Sequence, residues 1–267
     1  MKPYISLFRV RFINGLQYRA AAFGGLTTQF FWGIMLIFMY EAFYQSGGSS
    51  GEFSYRDLVS FVWLQQACLS FIFLYDWDAE LYDMILTGGI SYELCRPISL
   101  YHFWYVKLLS KRFSRGVMRL VPIILVALIM PYPYNLSPPE SLFSFFLFVV
   151  TLLLGLLLLV AISMLVYISV FKTLSPAGSV GIFGTIGDVF GGTIIPIPLM
   201  PDWMQRICMF LPFRWVADLP FRIYLGNIGT EEALISVVVQ IMWITLLVFI
   251  GSLIMRKIAR LSVVQGG

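Results

Sequence analysis

The sequence is poor in charged residues, in histidine and in cysteine. Asp, Glu, Lys and Arg make up 12% of the 267 residues, whereas hydrophobic residues make up 59%. Soluble domains carry about twice that charged fraction, so the composition excludes an ordinary soluble domain. The one histidine, His102, stands among aromatic residues and has no evident serine or cysteine partner. The sequence therefore does not indicate a nucleophilic or acid–base catalytic centre.

Metal and redox chemistry have equally little support. Cys68, Cys95 and Cys208 are widely separated and form no C-x-x-C pair. The acidic run DWDAE at residues 76–80 lacks the glycine and the spaced glutamate of a calcium loop. A solvated helix face at a membrane edge explains this run better. We expect this chain to bind no cofactor.

The apolar residues lie in continuous blocks, and a helix needs roughly 20 such residues to cross a bilayer. This arrangement predicts an all-α integral membrane protein with a single membrane domain over residues 1–267. We expect the first block to act as its own insertion signal, because it is too long for a cleavable signal peptide. The six predicted spans are Ala20–Tyr44, Asp57–Tyr75, Gly116–Met130, Ser141–Phe171, Gly178–Ile195 and Ala233–Met255.

The distribution of basic residues predicts the orientation of these spans. With the N-terminus inside, 14 of the 18 lysines and arginines fall in inner segments. This excess predicts that both termini are cytoplasmic. The net charge of +4 then reflects membrane topology and gives no sign of nucleic-acid binding. The four basic residues expected outside are Arg56, Arg206, Arg214 and Arg222.

Residues 1–19 precede the first span. If they form a helix, its apolar face carries Ile5, Phe8, Phe12 and Leu16, flanked by arginines. This pattern is typical of a helix in the inner interface, with its apolar side in lipid. A simple cluster of orienting charges explains it equally well.

The long polar segment at residues 76–115, called the elbow below, is predicted to lie inside. Its glycine pair and its Arg-Pro step predict a helix, a tight turn, a short helix and a second break. A solvated loop needs less apolar surface, so we favour a docking surface for another protein. The candidate docking residues are Ile85, Leu86, Gly88, Gly89, Leu94, Arg96 and Pro97.

The fifth predicted span is rich in glycine. Gly187, Gly191 and Gly192 favour close packing between helices, and a hinge is the alternative. Asp188 is an acid at membrane depth, where acidic side chains usually face a cavity or a partner. These four residues are therefore candidates for helix packing or for a transport pathway.

Prolines, tryptophans and arginines follow in residues 196–226, called the outer hairpin below. Irregular backbone at membrane depth needs shelter from protein or from a water-filled cavity. We therefore favour a re-entrant outer gate built from two short helices over a passive extracellular hairpin. The candidate gate residues are Pro196, Pro198, Pro201, Trp203, Pro212, Phe213 and Pro220.

Two stretches resemble the membrane subunits of ATP-binding-cassette (ABC) exporters, specifically small bacterial type-2 permeases with six helices. ILTGGISYELCRPIS at residues 85–99 is similar to an inner loop of that family. GGTIIPIPLMPDWMQRICMFLPFRWVADLPFRIYLG at residues 191–226 is similar to the family's run before its last span. The six-span order and the basic N-terminal segment also agree, so the resemblance covers nearly the whole chain.

The resemblance implies a transport subunit in the bacterial cytoplasmic membrane. Two such permeases pair, as a homodimer or a heterodimer, and each docks a separate ATPase that binds ATP and magnesium. Residues 1–19 would form a connecting helix, part of residues 76–96 a coupling helix, and the outer hairpin a gate. The chain lacks a G-x-x-x-x-G-K-[ST] phosphate loop, so it is not the motor. Family members export drugs, peptides, lipids or glycans, and nothing in this sequence selects among them.

Two other functions stay open. A secondary transporter normally places ion ligands at the midplane on paired broken helices, and only Asp188 approaches that pattern. A multi-pass membrane enzyme needs clustered catalytic side chains at one membrane face. His102 and the acids of residues 76–80 supply a weak version of such a cluster.

Overall fold

A computed structural model describes residues 2–17, 19–47, 53–75 and 78–265 of the chain. Within these residues every regular element is a helix, with one 3₁₀ turn at Ile197–Leu199. The α-helices are α1 (Lys2–Gln17), α2 (Arg19–Gln45), α3 (Tyr55–Ala67), α4 (Leu69–Ile72), α5 (Ala79–Leu86), α6 (Ile90–Leu94), α7 (Leu100–Ile129), α8 (Leu142–Thr173), α9 (Pro176–Phe190), α10 (Asp202–Phe210), α11 (Asp218–Leu225) and α12 (Thr230–Gln265).

Three of these helices contain a segment long and apolar enough to cross a bilayer: Gly24–Gln45 in α2, Leu142–Thr173 in α8 and Thr230–Arg260 in α12. They correspond to the first, fourth and sixth predicted spans. In an apolar 18-residue stretch of each helix, 61% of the residues are buried in α8, compared with 28% in α2 and 22% in α12. The long central helix α8 is therefore covered by protein, and α2 and α12 leave apolar faces uncovered.

The other three predicted spans differ from single long helices. The second is divided at Cys68 into α3 and the four-residue α4. The third is the second half of α7, whose first half carries the basic residues of the elbow. The fifth, α9, ends at Phe190 after 15 residues, a length of about 22 Å. The count of six spans therefore stays a prediction.

The N-terminal helix α1 lies along α7. Phe8 and Phe12 both contact the ring of Phe113, at centroid distances of 6.1 and 5.8 Å. A Cβ atom at Gly15 would overlap the Ser114 side chain, so the two helices approach closely where a side chain is missing. Ile5, in contrast, is exposed. An apolar face in lipid was one of the two interpretations that the sequence left open, and in the structure the two phenylalanines of that face contact α7.

Helix α8 forms the centre of the bundle and contacts α5, α7, α9, α11 and α12. It begins where the Ser141 side chain accepts the backbone N–H of Ser144, and it ends at Leu174 in a left-handed conformation. Helices α1 and α5 contact the first half of α7 at one end of the bundle. The loop before α8, the end of α9 and the outer hairpin gather at the other.

Candidate functional site

The elbow folds as two short helices with a sharp turn between them. The Asp78 side chain accepts the backbone N–H of Leu81 at 3.2 Å and starts α5. Gly88 has φ +74°, a left-handed conformation that glycine adopts without strain, and it reverses the chain into α6. Asp76 and Trp77 lie outside the described residues, and residues 100–115 belong to α7.

Buried side chains anchor this helix pair to the bundle. Tyr82 stacks on Tyr167 of α8 at a centroid distance of 4.6 Å, and the indole N–H of Trp104 donates to the Glu93 carboxylate. Ile85 is buried within the chain's own core, so it supports the elbow from inside. The sequence placed Ile85 among the candidate docking residues, whereas the structure packs its side chain inside the bundle, and a docking role for it stays a prediction.

Ion pairs add a second set of anchors. The Glu80 carboxylate lies 2.8 Å from the Lys107 ammonium and accepts two hydrogen bonds of 3.1 Å from Arg11. Lys111 donates to Asp78 at 2.9 Å. Burial opposes ionisation of Glu80, but the hydrogen bonds and charges of Arg11 and Lys107 outweigh it and lower its pKa to about 2.

The exposed part of the elbow at residues 86–97 is called the elbow tip below. Leu86 is 47% exposed and Tyr92 83% exposed, and Gly88, Arg96 and Pro97 are also exposed. Gly89 and Leu94 are partly buried. Tyr92 was not among the predicted docking residues. The sequence of so short a helix does not indicate which of its sides faces outward.

Cysteine accessibility also differs across the structure. Cys95, in the elbow tip, is exposed, and its thiol donates to the backbone carbonyl of Ser91 at 3.4 Å. Cys68 and Cys208 are buried.

At the other end of the bundle, α9 finishes in a tight glycine turn. The Gly191 N–H donates to the Gly187 carbonyl at 2.8 Å, and Gly192 has φ +77°. Asp188 is buried, and its Oδ1 accepts the Thr193 hydroxyl at 3.2 Å. The predicted packing residues therefore lie together, with Asp188 facing the chain's own turn.

Neighbouring helices hold this turn in place. The Gln65 amide of α3 donates to the Thr193 carbonyl, and the Tyr40 hydroxyl of α2 donates to the Ile194 carbonyl at 3.3 Å. A Cβ atom at Gly187 would lie 2.9 Å from a methyl carbon of Leu74. The space beside Gly187 and Gly191 holds a cavity of only about 10 Å³. The turn is therefore closely packed within this chain.

The outer hairpin contains the two short helices that the sequence predicts, α10 and α11. Pro196 and Pro198 are buried around the 3₁₀ turn, and Pro201 is exposed directly before α10. Pro220 is buried in the first turn of α11, where a missing N–H is tolerated. The remaining predicted gate residues are Trp203, which is 64% exposed, and Pro212 and Phe213, which are partly buried.

A charge cluster inside the outer hairpin was missed by the sequence analysis. Asp218 is fully buried, with Arg214 at 3.7 Å and Arg222 at 3.9 Å from its carboxylate. Arg214 also lies 3.7 Å from Glu232 at the start of α12. The four-residue spacing of Asp218 and Arg222 was the available signal, since such residues share a helix face, whereas Arg214 lies in the turn before α11.

One buried amide joins this hairpin to two long helices. Gln240 of α12 donates to the Thr151 carbonyl of α8 at 2.9 Å and to the Trp215 carbonyl at 2.6 Å. Gly155 of α8 lies beside them, and a Cβ atom there would be 2.8 Å from the Val216 carbonyl oxygen. The hairpin is thus held against α8 through its backbone.

The residues considered for catalysis and metal binding make local contacts in the structure. Exposed His102 contacts the Ser99 hydroxyl at 2.9 Å through Nδ1. Asp78 and Glu80 are ion-paired within the bundle. In the part of the chain that the structure describes, no group of three or more His, Cys, Asp or Glu residues is placed to hold a metal ion.

Comparison with known proteins decides the family. A sequence model of the ABC-2 family transporter proteins matches residues 30–261, which include the whole elbow and the outer hairpin. The chain belongs to the ABC-2 transporter family. The match confirms the resemblance seen in residues 85–99 and 191–226. No curated protein matches the chain.

Membership of the ABC-2 family suggests a membrane permease, the transport subunit of an ABC transporter. The family also implies a partnership with an ABC ATPase in a membrane complex. Helix α1 and the first residues of α2 lie before the matched region.

Proposed function

We propose that this ABC-2 permease is the membrane subunit of an ATP-driven exporter in the bacterial cytoplasmic membrane. Six spans, with both termini cytoplasmic, form the substrate pathway together with a second permease, identical or similar. The elbow tip docks the ATPase that binds ATP and magnesium. The outer hairpin closes the pathway on the outer side of the membrane.

The observation that carries this proposal is the division of the elbow into a buried side and an exposed tip. Ile85 and Ile90 are 7% and 5% exposed, whereas Leu86 and Tyr92 project outward beside Pro97. An apolar tip on a fixed base offers another protein a shaped surface at little entropic cost. A solvated loop requires neither an apolar tip nor a buried base.

The contacts of Glu80 and Lys107 give such docking a route into the bundle. They join α5 to α7, a single helix of 30 residues with a length of about 45 Å. At its far end, the Ala127 carbonyl accepts the N–H of Leu136, in the loop that also contacts α3. A displacement of the elbow would therefore shift the contacts at the opposite end of α7.

We assign the outer hairpin as a gate because it leaves no open passage among the described residues of this chain. Asp218 and its two arginines are buried within one chain, and the adjoining space is too small for cargo. The substrate pathway would therefore run along the apolar faces that this chain leaves exposed, where lipid or a second permease would lie. On α12 these faces include Val238, Met242 and Phe249.

Docking is tested by affinity purification of the full chain from cross-linked native membranes. We expect an ABC ATPase, identified by its phosphate-loop motif, to co-purify and to hydrolyse ATP. Leu86→Asp and Tyr92→Asp should lose this ATPase while inserting normally. Tyr132→Asp is the matched control, because Tyr132 is similarly exposed, at 73%, in the loop before α8.

Two results would overturn the docking proposal. One is ATPase recovery that is unchanged by both elbow-tip variants. The other is equal loss with Tyr132→Asp, which would indicate a general folding defect. Transport that continues in membranes stripped of every ABC ATPase would favour a secondary transporter.

A further inference from the structure

A cavity of about 240 Å³ lies between the elbow tip, the start of α7 and the C-terminal part of α12. Pockets that bury a whole drug-sized ligand measure about 300–1,000 Å³. This cavity is smaller, so it suits one polar group of a larger molecule whose remainder lies outside. Its lining includes Leu94, Ile98, Tyr101, Met255, Arg256 and Arg260.

The lining combines an apolar surface with two exposed cations. Met255 is almost completely buried, and Leu94 and Ile98 are partly buried. Arg256 and Arg260 are exposed and stand four residues apart, so they share one face of α12. Among the described residues, neither arginine takes part in an ion pair. The cavity therefore offers two guanidinium groups beside an apolar surface.

A buried hydroxyl group adds a hydrogen-bond donor to this lining. Tyr101 is 1% exposed, and its hydroxyl has no hydrogen-bond partner among the described residues. A Cβ atom at Gly251 would lie 3.0 Å from this hydroxyl oxygen, so the tyrosine packs where α12 lacks a side chain. A buried hydroxyl is unfavourable unless it is hydrogen-bonded. An anionic oxygen bound in the cavity would accept its hydrogen bond.

An exposed apolar stripe of α12 leads to the two arginines. Its members are spaced three or four residues from one another and from Arg256, so they lie on the same helix face: Val238, Met242, Leu246, Phe249 and Leu253. Leu246 stands ten residues before Arg256, a distance of about 15 Å along the helix. One leaflet of a bilayer contributes about the same thickness of hydrocarbon. The stripe and the arginines thus follow the order of acyl chains and head group in a phospholipid.

We propose that this cavity binds the phosphate of an anionic phospholipid through Arg256 and Arg260, with the Tyr101 hydroxyl as a further donor. Guanidinium groups match phosphate oxygens with paired N–H donors. The acyl chains lie along the apolar stripe, which a soluble phosphate ester would leave uncovered. Two neighbouring cations disfavour a choline group, so the bound lipid carries a net negative charge. The site is independent of the proposed export function.

The test uses the purified full chain and native mass spectrometry to count bound ligand. One arm offers phosphatidylglycerol against phosphatidylcholine, and a second arm offers glycerol 3-phosphate without lipid. Arg256→Gln combined with Arg260→Gln removes the phosphate contacts. Lys257→Gln combined with Lys172→Gln is the matched control, because both lysines are exposed and neither lines the cavity.

We expect phosphatidylglycerol to bind in preference to phosphatidylcholine and to glycerol 3-phosphate. The Arg256/Arg260 variant should weaken this binding by about tenfold or more, and the Lys257/Lys172 variant should leave it unchanged. Tyr101→Phe should weaken it by about three- to tenfold, since one hydrogen bond is lost.

Equal losses in the two double variants would overturn the proposal, because they would indicate a general attraction between surface cations and anionic lipid. Glycerol 3-phosphate bound as tightly as the lipid would also overturn it, since the apolar stripe would then contribute nothing. A third contrary result is unchanged lipid binding in an Arg256/Arg260 variant that no longer recovers an ABC ATPase from membranes. The arginines would then belong to the docking surface.

A second variant covers the case in which the Arg256/Arg260 protein fails to fold. Ala259→Trp fills the same cavity while every cation is kept. It should reduce phosphatidylglycerol binding by about tenfold. Binding that survives this substitution unchanged in a folded protein overturns the proposal.

Discussion

The carboxylate of Glu80 in α5 lies 2.8 Å from the ammonium of Lys107 in α7, whose side chain is almost completely buried. Arg11 of α1 binds the same carboxylate through two hydrogen bonds. One side chain therefore connects three helices that are distant in sequence. The elbow cannot separate from α7 without exposing or isolating a buried lysine.

The first prediction concerns this carboxylate. Glu80→Gln should lower the free energy of unfolding by about 1–3 kcal/mol, because Lys107 keeps its charge in a buried position without a countercharge. Thermal unfolding of the detergent-solubilised protein measures the loss. Exchange of backbone amides in α1 and α5 should rise in the same variant.

A second substitution separates the ion pair from a general effect on packing. Lys107→Met removes the buried charge, and apolar replacements of buried ion pairs are often tolerated. The double variant Glu80→Gln/Lys107→Met should therefore be more stable than Glu80→Gln alone. Additive losses in the double variant would show that the two groups do not act as a pair.

The second prediction is a pH dependence of the same contact. Because the folded pKa of Glu80 is lowered from 4.5 to about 2, its stabilisation is complete above pH 4.5. It declines as the pH falls from 4.5 through 2, where the carboxylate gains its proton. Unfolding midpoints measured across this interval should fall less steeply in Glu80→Gln than in the wild type. Parallel pH profiles of the wild type and Glu80→Gln would contradict the assignment of this pH dependence to Glu80.

The third prediction concerns the buried charges of the outer hairpin. Asp218→Asn keeps the side-chain shape but leaves Arg214 and Arg222 without the carboxylate between them. We expect a loss of about 3–5 kcal/mol in stability, measured by thermal unfolding. Asp202→Asn, at an exposed position in α10, is the control and should change stability by less than about 0.5 kcal/mol. Equal losses of stability in the two variants would show that Asp218 contributes no more than an exposed aspartate.

The fourth prediction compares two helical glycines. Gly155→Ala should destabilise the protein by about 1–3 kcal/mol, because its Cβ meets a backbone carbonyl that has no flexible way to move. Gly181→Ala, with no atom within 4 Å of the added Cβ, should stabilise by about 0.5–1 kcal/mol through helix propensity. Unfolding midpoints of the two variants should therefore shift in opposite directions. An unchanged or raised midpoint in Gly155→Ala would show that α8 does not approach the Val216 backbone this closely.

Local breaks in the helices were predictable because single residues cause them. Gly88 ends the elbow's first helix in a left-handed turn, and Pro201 stands directly before α10. The start of α7 was not predictable in the same way. Its run of lysines and arginines is typical of a solvated segment, whereas the structure buries Lys107 and Arg112.

The difference arises from contacts that are distant in sequence. Arg112 is buried because it donates to the Phe73 carbonyl and to the Ser163 hydroxyl, which lie on other helices. Periodicity within one segment carries no information about such partners. The same limit explains Ile85, whose place in the core depends on how α5 packs against the bundle.

The location of the cysteines has a practical consequence. Among the described thiols only Cys95 is exposed, and it stands beside Arg96 and Pro97 in the elbow tip. A maleimide reagent added to the folded protein should therefore modify this position and spare Cys68 and Cys208. A fluorophore placed there would show in real time whether an ABC ATPase approaches the elbow tip, with every native cysteine kept.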